Sequence, residues 1–336
     1  MAISKLLAIH EQESLYSGAN SAIWYSHKLA ADSARRKARE EDFVATLVTD
    51  GIPVLAERWA PLLNRKKIGL KISGVFCHGH PQVAFGTSGA QVELADLLVV
   101  HQHVGRTRAT ARAMLLQAKM SAGSTHTLTA NDDQLALFST WPKFNFVTGG
   151  LAVGERDLKE KGRGSRYALV LDRPAYPEEI TWADQCPWGA SQAVKNLCVD
   201  GSLARLIGNM LLGKDGRSFQ LGKPRDDWSR TIQELLEITG KRTYKRANIK
   251  RGDTPRLTSS SIAKTGLMLF STHGLAGAAN QSSATTSLSE RYFGSAYLEE
   301  HVSGGDGGAD LTNKGNLRVP EGGMSSLIIE TSESIG

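Results

Sequence analysis

Three polar side chains interrupt two apolar runs of the sequence. Asp96 lies within ELADLLVVHQH (93–103), and Gln117 and Lys119 lie within AMLLQAKM (113–120). A carboxylate or an ammonium group buried in an apolar strand destabilises the fold unless it is paired or binds a metal ion. Two such interruptions in successive runs therefore predict that the polar groups meet in one site.

The spacing of these residues indicates what that site does. Gln117 and Lys119 are two positions apart, so they point to the same face of a strand. The basic turn GRTRATAR (105–112) permits a hairpin that brings Asp96 alongside them. A carboxylate and an amide oxygen suit Mg²⁺, which activates water and stabilises charge on a phosphate, while a lysine adds positive charge or orients the water. The alternative is a buried Asp96–Lys119 ion pair with Gln117 exposed.

The order, spacing and strand context of these residues resemble the PD-(D/E)XK nuclease superfamily, in the variant with glutamine in place of the second acidic residue. The segments ELADLLV and LLQAK are similar to nuclease domains of bacterial restriction and anti-phage proteins. The resemblance covers residues 40–145. It implies a restriction-endonuclease-like core, a Mg²⁺ or Mn²⁺ cofactor and cleavage of DNA, with RNA as the alternative substrate.

Carrying the roles over gives two metal-site residues and one catalytic lysine, namely Asp96, Gln117 and Lys119. Many members add an acidic residue from the helix before the sheet, where this chain has Glu40 and Glu41, and we choose Glu41. Glu93 is the rival metal-site residue. It lies three positions before Asp96, so a regular strand sends it to the opposite face unless a bulge brings it back.

Hydrophobic periodicity predicts the elements that position these residues. Helices are expected at 19–35, 40–48, 53–63, 131–141, 189–213 and 227–239, and strands at 67–76, 83–86, 93–103, 113–120, 166–172 and 325–331. Asn131 or Asp132 offers an N-cap, and Gly240 is a stop signal. The pattern predicts an α/β (α+β) fold with a central mixed β-sheet flanked by helices, followed by a helical and loop-rich C-terminal half.

Composition divides the chain into three segments. Residues 1–180 are predicted to form the nuclease-like core, and 181–273 a helical and basic extension packed on that core. From residue 274 the sequence becomes rich in Gly, Ser, Ala, Thr and Asn, which predicts a partly flexible tail over 274–336 with one final strand.

The charge of the chain permits a polyanionic partner. The formal net charge is +6, from 40 Lys and Arg against 34 Asp and Glu. The candidate nucleic-acid contacts come from two basic runs and are Arg106, Arg108, Lys241, Arg242, Lys245 and Arg246. A solvated charged surface is the alternative interpretation of both runs.

Other features limit the functional classes. No run approaches the roughly 18 apolar residues of a membrane helix. The three cysteines are widely spaced, which disfavours a disulfide framework and predicts a cytoplasmic protein. The segment Cys77-His78-Gly79-His80 lacks a matching pair for zinc, because Cys186 and Cys198 are twelve positions apart.

Two further hypotheses remain open at this point. The first is an inactive nuclease-fold protein that binds nucleic acid, because the motif lacks its second acidic residue. The second is a scaffold of a defence complex, suggested by the Gly/Ser-rich tail. The resemblance also implies a second copy of the chain or a partner protein of a defence system.

Overall fold

The computed structural model describes residues 3–33, 37–77, 81–86, 89–129, 132–172, 185–244, 266–273, 287–289, 291–293 and 323–333. Within these residues the α-helices are α1 (Ile9–Ser33), α2 (Glu40–Thr49), α3 (Gly51–Arg65), α4 (Asp133–Thr140), α5 (Leu203–Leu212) and α6 (Asp227–Arg242). None of the helices described is both long and apolar enough to cross a bilayer.

The strands fall into a large sheet and two small ones. They are β1 (Ile68–Phe76), β2 (Gln82–Phe85), β3 (Ala90–Glu93), β4 (Leu97–Val104), β5 (Ala109–Ser121), β6 (Thr125–Thr127), β7 (Phe144–Phe146), β8 (Ser165–Leu171), β9 (Trp188–Ser191), β10 (Asn196–Cys198), β11 (Gly201–Ser202), β12 (Arg217–Phe219), β13 (Thr243–Tyr244), β14 (Gly266–His273) and β15 (Ser325–Glu333). The predicted mixed α/β class is therefore confirmed.

The large sheet has the strand order β11-β9-β8-β5-β4-β15-β1-β14-β13, and β12 pairs with the first half of β5. Parallel and antiparallel pairs alternate irregularly, so the sheet is mixed, as predicted. One face packs against α1, α2, α3 and α5, with Trp59 and Phe43 at the centre of that core. The other face packs against α4, α6 and the small sheet β3-β2-β7, around Phe138 and Trp228.

The final strand is central rather than peripheral. β15 lies between β4, to which it is parallel, and β1, to which it is antiparallel. Its first seven residues are buried, which is the pattern of a strand covered on both faces. The large sheet thus takes strands from all three segments into which composition divided the chain.

One long predicted helix was wrong. The segment 189–213 was expected to be helical throughout, but the structure has strands β9, β10 and β11 before α5 begins at Leu203. All four residues of β9 are buried, and this strand pairs antiparallel with β8. A Cβ on Gly189 would lie 2.2 Å from Cγ2 of Val199, so this position of β9 packs closely against the segment after β10.

Two predicted boundaries near the site also differ from the structure. The expected strand 93–103 is divided, because Glu93 ends β3 and Asp96 occupies a bend before β4. The predicted basic turn is shorter than expected, since β5 already begins at Ala109. The helix after the motif begins as predicted, with Asp132 accepting a hydrogen bond from Leu135 N at 2.8 Å.

Candidate active site

The end of β5 has no strand partner on the side that faces β4. The β4–β5 pairing ends where Leu97 meets Leu116, yet β5 continues to Ser121, paired on its other side with β8. Asp96, in the bend before β4, extends the pairing by one hydrogen bond from its N–H to Leu116 O, at 3.0 Å. Beyond that point, the edge amides of β5 need acceptors from elsewhere.

Two carboxylates accept these edge amides. Asp96 Oδ2 accepts from Ala118 N at 2.6 Å, and Glu40 Oε1 accepts from Met120 N at 3.0 Å. Backbone hydrogen bonds thereby hold a carboxylate from the β3–β4 bend and one from the first turn of α2 along the same strand edge. This arrangement satisfies buried backbone donors and also concentrates negative charge at one end of the sheet.

Gln117 and Lys119 lie on one face of β5, as their spacing predicted. Gln117 donates from Nε2 to Asp96 Oδ2. Lys119 Nζ donates to Gln134 Oε1, in the first turn of α4, at 2.7 Å. The alternative of an Asp96–Lys119 ion pair is not realised among the described residues, because Lys119 makes its hydrogen bond to an amide.

Burial and charge together shift the titration of Asp96. Burial raises the pKa of this carboxyl well above its ordinary value, and the negative charges of Glu93 and Glu40 raise the pKa further. The Ala118 N–H and the Lys119 ammonium lower the pKa of Asp96, without cancelling the rise. A positive charge placed beside Asp96 is therefore favourable, since it would stabilise the ionised form.

Glu93 reaches this region without a β-bulge. It is the last residue of β3, which belongs to the small sheet, and the chain then turns through residues 94–96 into β4. The turn brings Glu93 close enough for its charge to be the second-largest influence on the pKa of Asp96. Because Glu93 and Asp96 do not share a strand, strand alternation does not send their side chains to opposite faces.

Tyr167 is a site residue that sequence reasoning missed. It pairs with Gln117 in the β5–β8 register, is fully buried, and its hydroxyl has no hydrogen-bond partner among the described residues. Burial raises the pKa of the phenol, and the charges of Asp132 and Asp96 raise it further, so the hydroxyl stays a neutral donor. No spacing signal in the sequence marks this residue, and the same holds for Gln134.

The donor set suits a hard cation that retains several waters. Gln117 Oε1 is buried and has no hydrogen-bond partner in the part of the chain that the structure describes. The hydrogen bonds of Asp96 both go to Oδ2. Among the described residues, no three His, Cys, Asp or Glu side chains are grouped so as to hold a metal by themselves. A cation here would thus combine an amide oxygen with carboxylate and water ligands, as Mg²⁺ accepts.

The two candidate glutamates on α2 have different surroundings. Glu40 contacts the edge of β5, whereas Glu41 forms an ion pair with Arg39, at 2.9 Å. These contacts favour Glu40 over Glu41 as the acidic residue from this helix, and a metal-binding role for either one stays a prediction. Successive helix residues point about 100° apart, so only one of the two can face a given strand.

The predicted basic contacts lie away from this end of the sheet or outside the described side chains. Eight paired residues separate Asp96 from the β4–β5 turn, so Arg106 and Arg108 lie about 27 Å away at ~3.4 Å per residue. Lys241 and Arg242 end α6. Lys245 and Arg246 lie outside the described residues, as does most of the predicted flexible tail.

The chain has no match among known families or proteins. No protein-family model matches it, and neither a curated protein nor a solved structure is significantly similar to it.

Proposed function

We propose that this protein is a Mg²⁺- or Mn²⁺-dependent nuclease that hydrolyses phosphodiester bonds in DNA. The observation that carries the proposal is the arrangement at the end of β5. There Asp96 and Glu40 line the strand edge, Gln117 presents a buried amide oxygen, and Lys119 is held by an amide instead of a carboxylate. This set combines cation ligands with a charged donor for a phosphate.

Each residue has a distinct role in the proposed reaction. Asp96, Gln117 and Glu40 would hold the cation, with Glu93 adding negative charge beside them. The bound cation would lower the pKa of a water ligand and stabilise charge on the phosphate. Lys119 would donate to the attacking water or to a phosphate oxygen, and Gln134 holds its ammonium group in place.

A second candidate function is nucleic-acid binding without cleavage. It is favoured by the backbone hydrogen bonds of Asp96 and Glu40, since both carboxylates already have a structural task. In this case Asp96 and Glu40 would only accept hydrogen bonds from the edge amides of β5 and would not bind a cation. The proposed role in restriction or phage defence, and the cytoplasmic location, come from the resemblance and the composition and stay predictions.

A nicking assay with supercoiled plasmid separates the two functions. We expect conversion to nicked or linear DNA with Mg²⁺ or Mn²⁺, and none with EDTA. A binding protein would retard the plasmid on a gel without nicking it, and EDTA would change nothing. Retardation without nicking in both metals would overturn the nuclease proposal.

The two α2 glutamates offer a matched pair of variants. Glu40→Gln keeps an acceptor for Met120 N but removes a cation ligand, so we expect cleavage to fall roughly 10- to 100-fold. Glu41→Gln removes the same charge from an exposed ion pair and should keep cleavage within about twofold. Plasmid nicking rates measure both, and equal losses would contradict the assignment of Glu40.

A further inference from the structure

Residues 37–39, the described part of the connection between α1 and α2, lie at the sheet end that carries the candidate site. Glu40 contacts Met120 on β5, and Lys37 Nζ lies 3.9 Å from Asp172 Oδ2, just beyond β8. Asp172 itself is fixed by a hydrogen bond from its N–H to Ser121 O, at 2.8 Å. Residues 37–40 therefore span the ends of β5 and β8, the strands that carry Lys119 and Tyr167.

Two cations of this connection are open to a partner. The side chain of Lys37 is 81% exposed and that of Arg39 is 52% exposed. Their carboxylate partners are Asp172 and Glu41, which also lie at the surface. Exposed ion pairs of this kind are weak and exchange readily, so both cations can turn to a phosphate oxygen.

The negative charge of the candidate site would repel a phosphodiester unless cations lie nearby. Glu93, Asp96 and Glu40 place negative charge where a phosphodiester would have to lie. The exposed arginines that the sequence predicted to bind nucleic acid, Arg106 and Arg108, lie about 27 Å from Asp96, at the far end of the β4–β5 hairpin. Arg106 also contacts Glu333 there.

We infer that the connection at residues 37–39 is the surface that holds the phosphate backbone of duplex DNA beside the candidate site, through Lys37 and Arg39. The inference rests on the proposed function for its choice of partner. The sequence carries two more cations directly before it, Arg35 and Arg36, whose placement lies outside the described residues. The arginines of the β4–β5 turn then have no part in binding at the site.

The test compares two double variants that each remove two positive charges, one from residues 37–39 before α2 and one from the β4–β5 turn. Lys37→Gln with Arg39→Gln alters the connection, and Arg106→Gln with Arg108→Gln is the matched control. Each is made in the full chain, and binding to a fluorescein-labelled DNA duplex is followed by anisotropy in EDTA. The N-cap hydrogen bond of α2 survives, because Asp42 accepts it from the backbone N–H of Arg39.

Loss of two phosphate contacts reduces the slope of log affinity against log salt by about 1.8. Between about 50 and 200 mM salt, the Lys37/Arg39 variant should then lose roughly 12-fold less affinity than the parent protein. The control variant should keep the slope of the parent. An unchanged slope in the Lys37/Arg39 variant, an equal or larger change in the control, or no duplex binding by the parent would overturn the inference.

Plasmid nicking with Mn²⁺, run in parallel, keeps this inference separate from the proposed function. Binding that depends on Lys37 and Arg39 without any nicking would support the proposed DNA-binding surface and contradict the proposed nuclease function. Nicking together with an unchanged salt slope in the Lys37/Arg39 variant would support the nuclease function and contradict the proposed DNA-binding surface.

Discussion

Lys119→Ala is expected to reduce the plasmid-nicking rate about 100-fold or more while the protein stays folded. The variant removes the ammonium group that lies on the same face of β5 as Gln117, and loss of a single transition-state donor commonly has an effect of this size. The variant loses the hydrogen bond to Gln134, about 1 kcal/mol, and the attraction between the ammonium group and Asp96. Thermal unfolding in EDTA measures the fold, and nicking with Mn²⁺ measures the activity.

The control for this prediction is a lysine near the other end of α4. Lys143 is 60% exposed and pairs with the exposed Glu155, so Lys143→Ala should keep the nicking rate within about twofold. Wild-type nicking by Lys119→Ala would show that this lysine has no chemical role, and the nuclease mechanism would then fail. Equal losses in both variants would indicate a general effect of charge.

Asp96→Asn is expected to abolish nicking and, without divalent ions, to raise the melting temperature at neutral pH. Burial and the charge of Glu93 raise the pKa of Asp96, so ionisation is less favourable in the folded chain than in the unfolded one. Stability from this group is fully present below about pH 4, the ordinary pKa of aspartate, and is lost as pH rises through the folded pKa. Asparagine is neutral at every pH, so the variant does not lose stability as pH rises.

Melting temperatures across a pH series check this sign. The two proteins should melt together at low pH, and the gap should open in favour of the variant as pH rises. The amide oxygen can replace Oδ2, which accepts both hydrogen bonds of the carboxylate. Added Mn²⁺ should stabilise the parent by about 2.7 kcal/mol at 100 times the Kd and leave the variant unchanged. A gap of constant size, or one of opposite sign, would contradict the assignment.

The pattern of apolar residues predicted most of the elements near the site. The expected segments 40–48, 53–63, 113–120, 166–172 and 227–239 correspond to α2, α3, β5, β8 and α6. The shared face of Gln117 and Lys119 also followed from the sequence, because side chains alternate along any strand. The hairpin also places Arg106 and Arg108 at its turn, far from Asp96, and their contact with nucleic acid stays a prediction.

Other features could not be predicted from local pattern. Short apolar segments such as 188–199 fit either a helix or a strand, and packing against the large sheet decides between them. The choice between Glu40 and Glu41 depends on which side of α2 meets β5, a contact between residues 80 positions apart. Tyr167 joins the site only because β8 pairs in parallel with β5.

Periodicity over a few residues predicted the apolar strands and the common face of Gln117 and Lys119, and the basic turn between the strands permitted a hairpin. Three features are visible only in the folded chain: β5 extends beyond β4, Asp96 and Glu40 accept hydrogen bonds from its edge amides, and Lys119 donates to Gln134. These contacts join distant segments, and they form because buried backbone and side-chain donors must find acceptors wherever the packed chain supplies them.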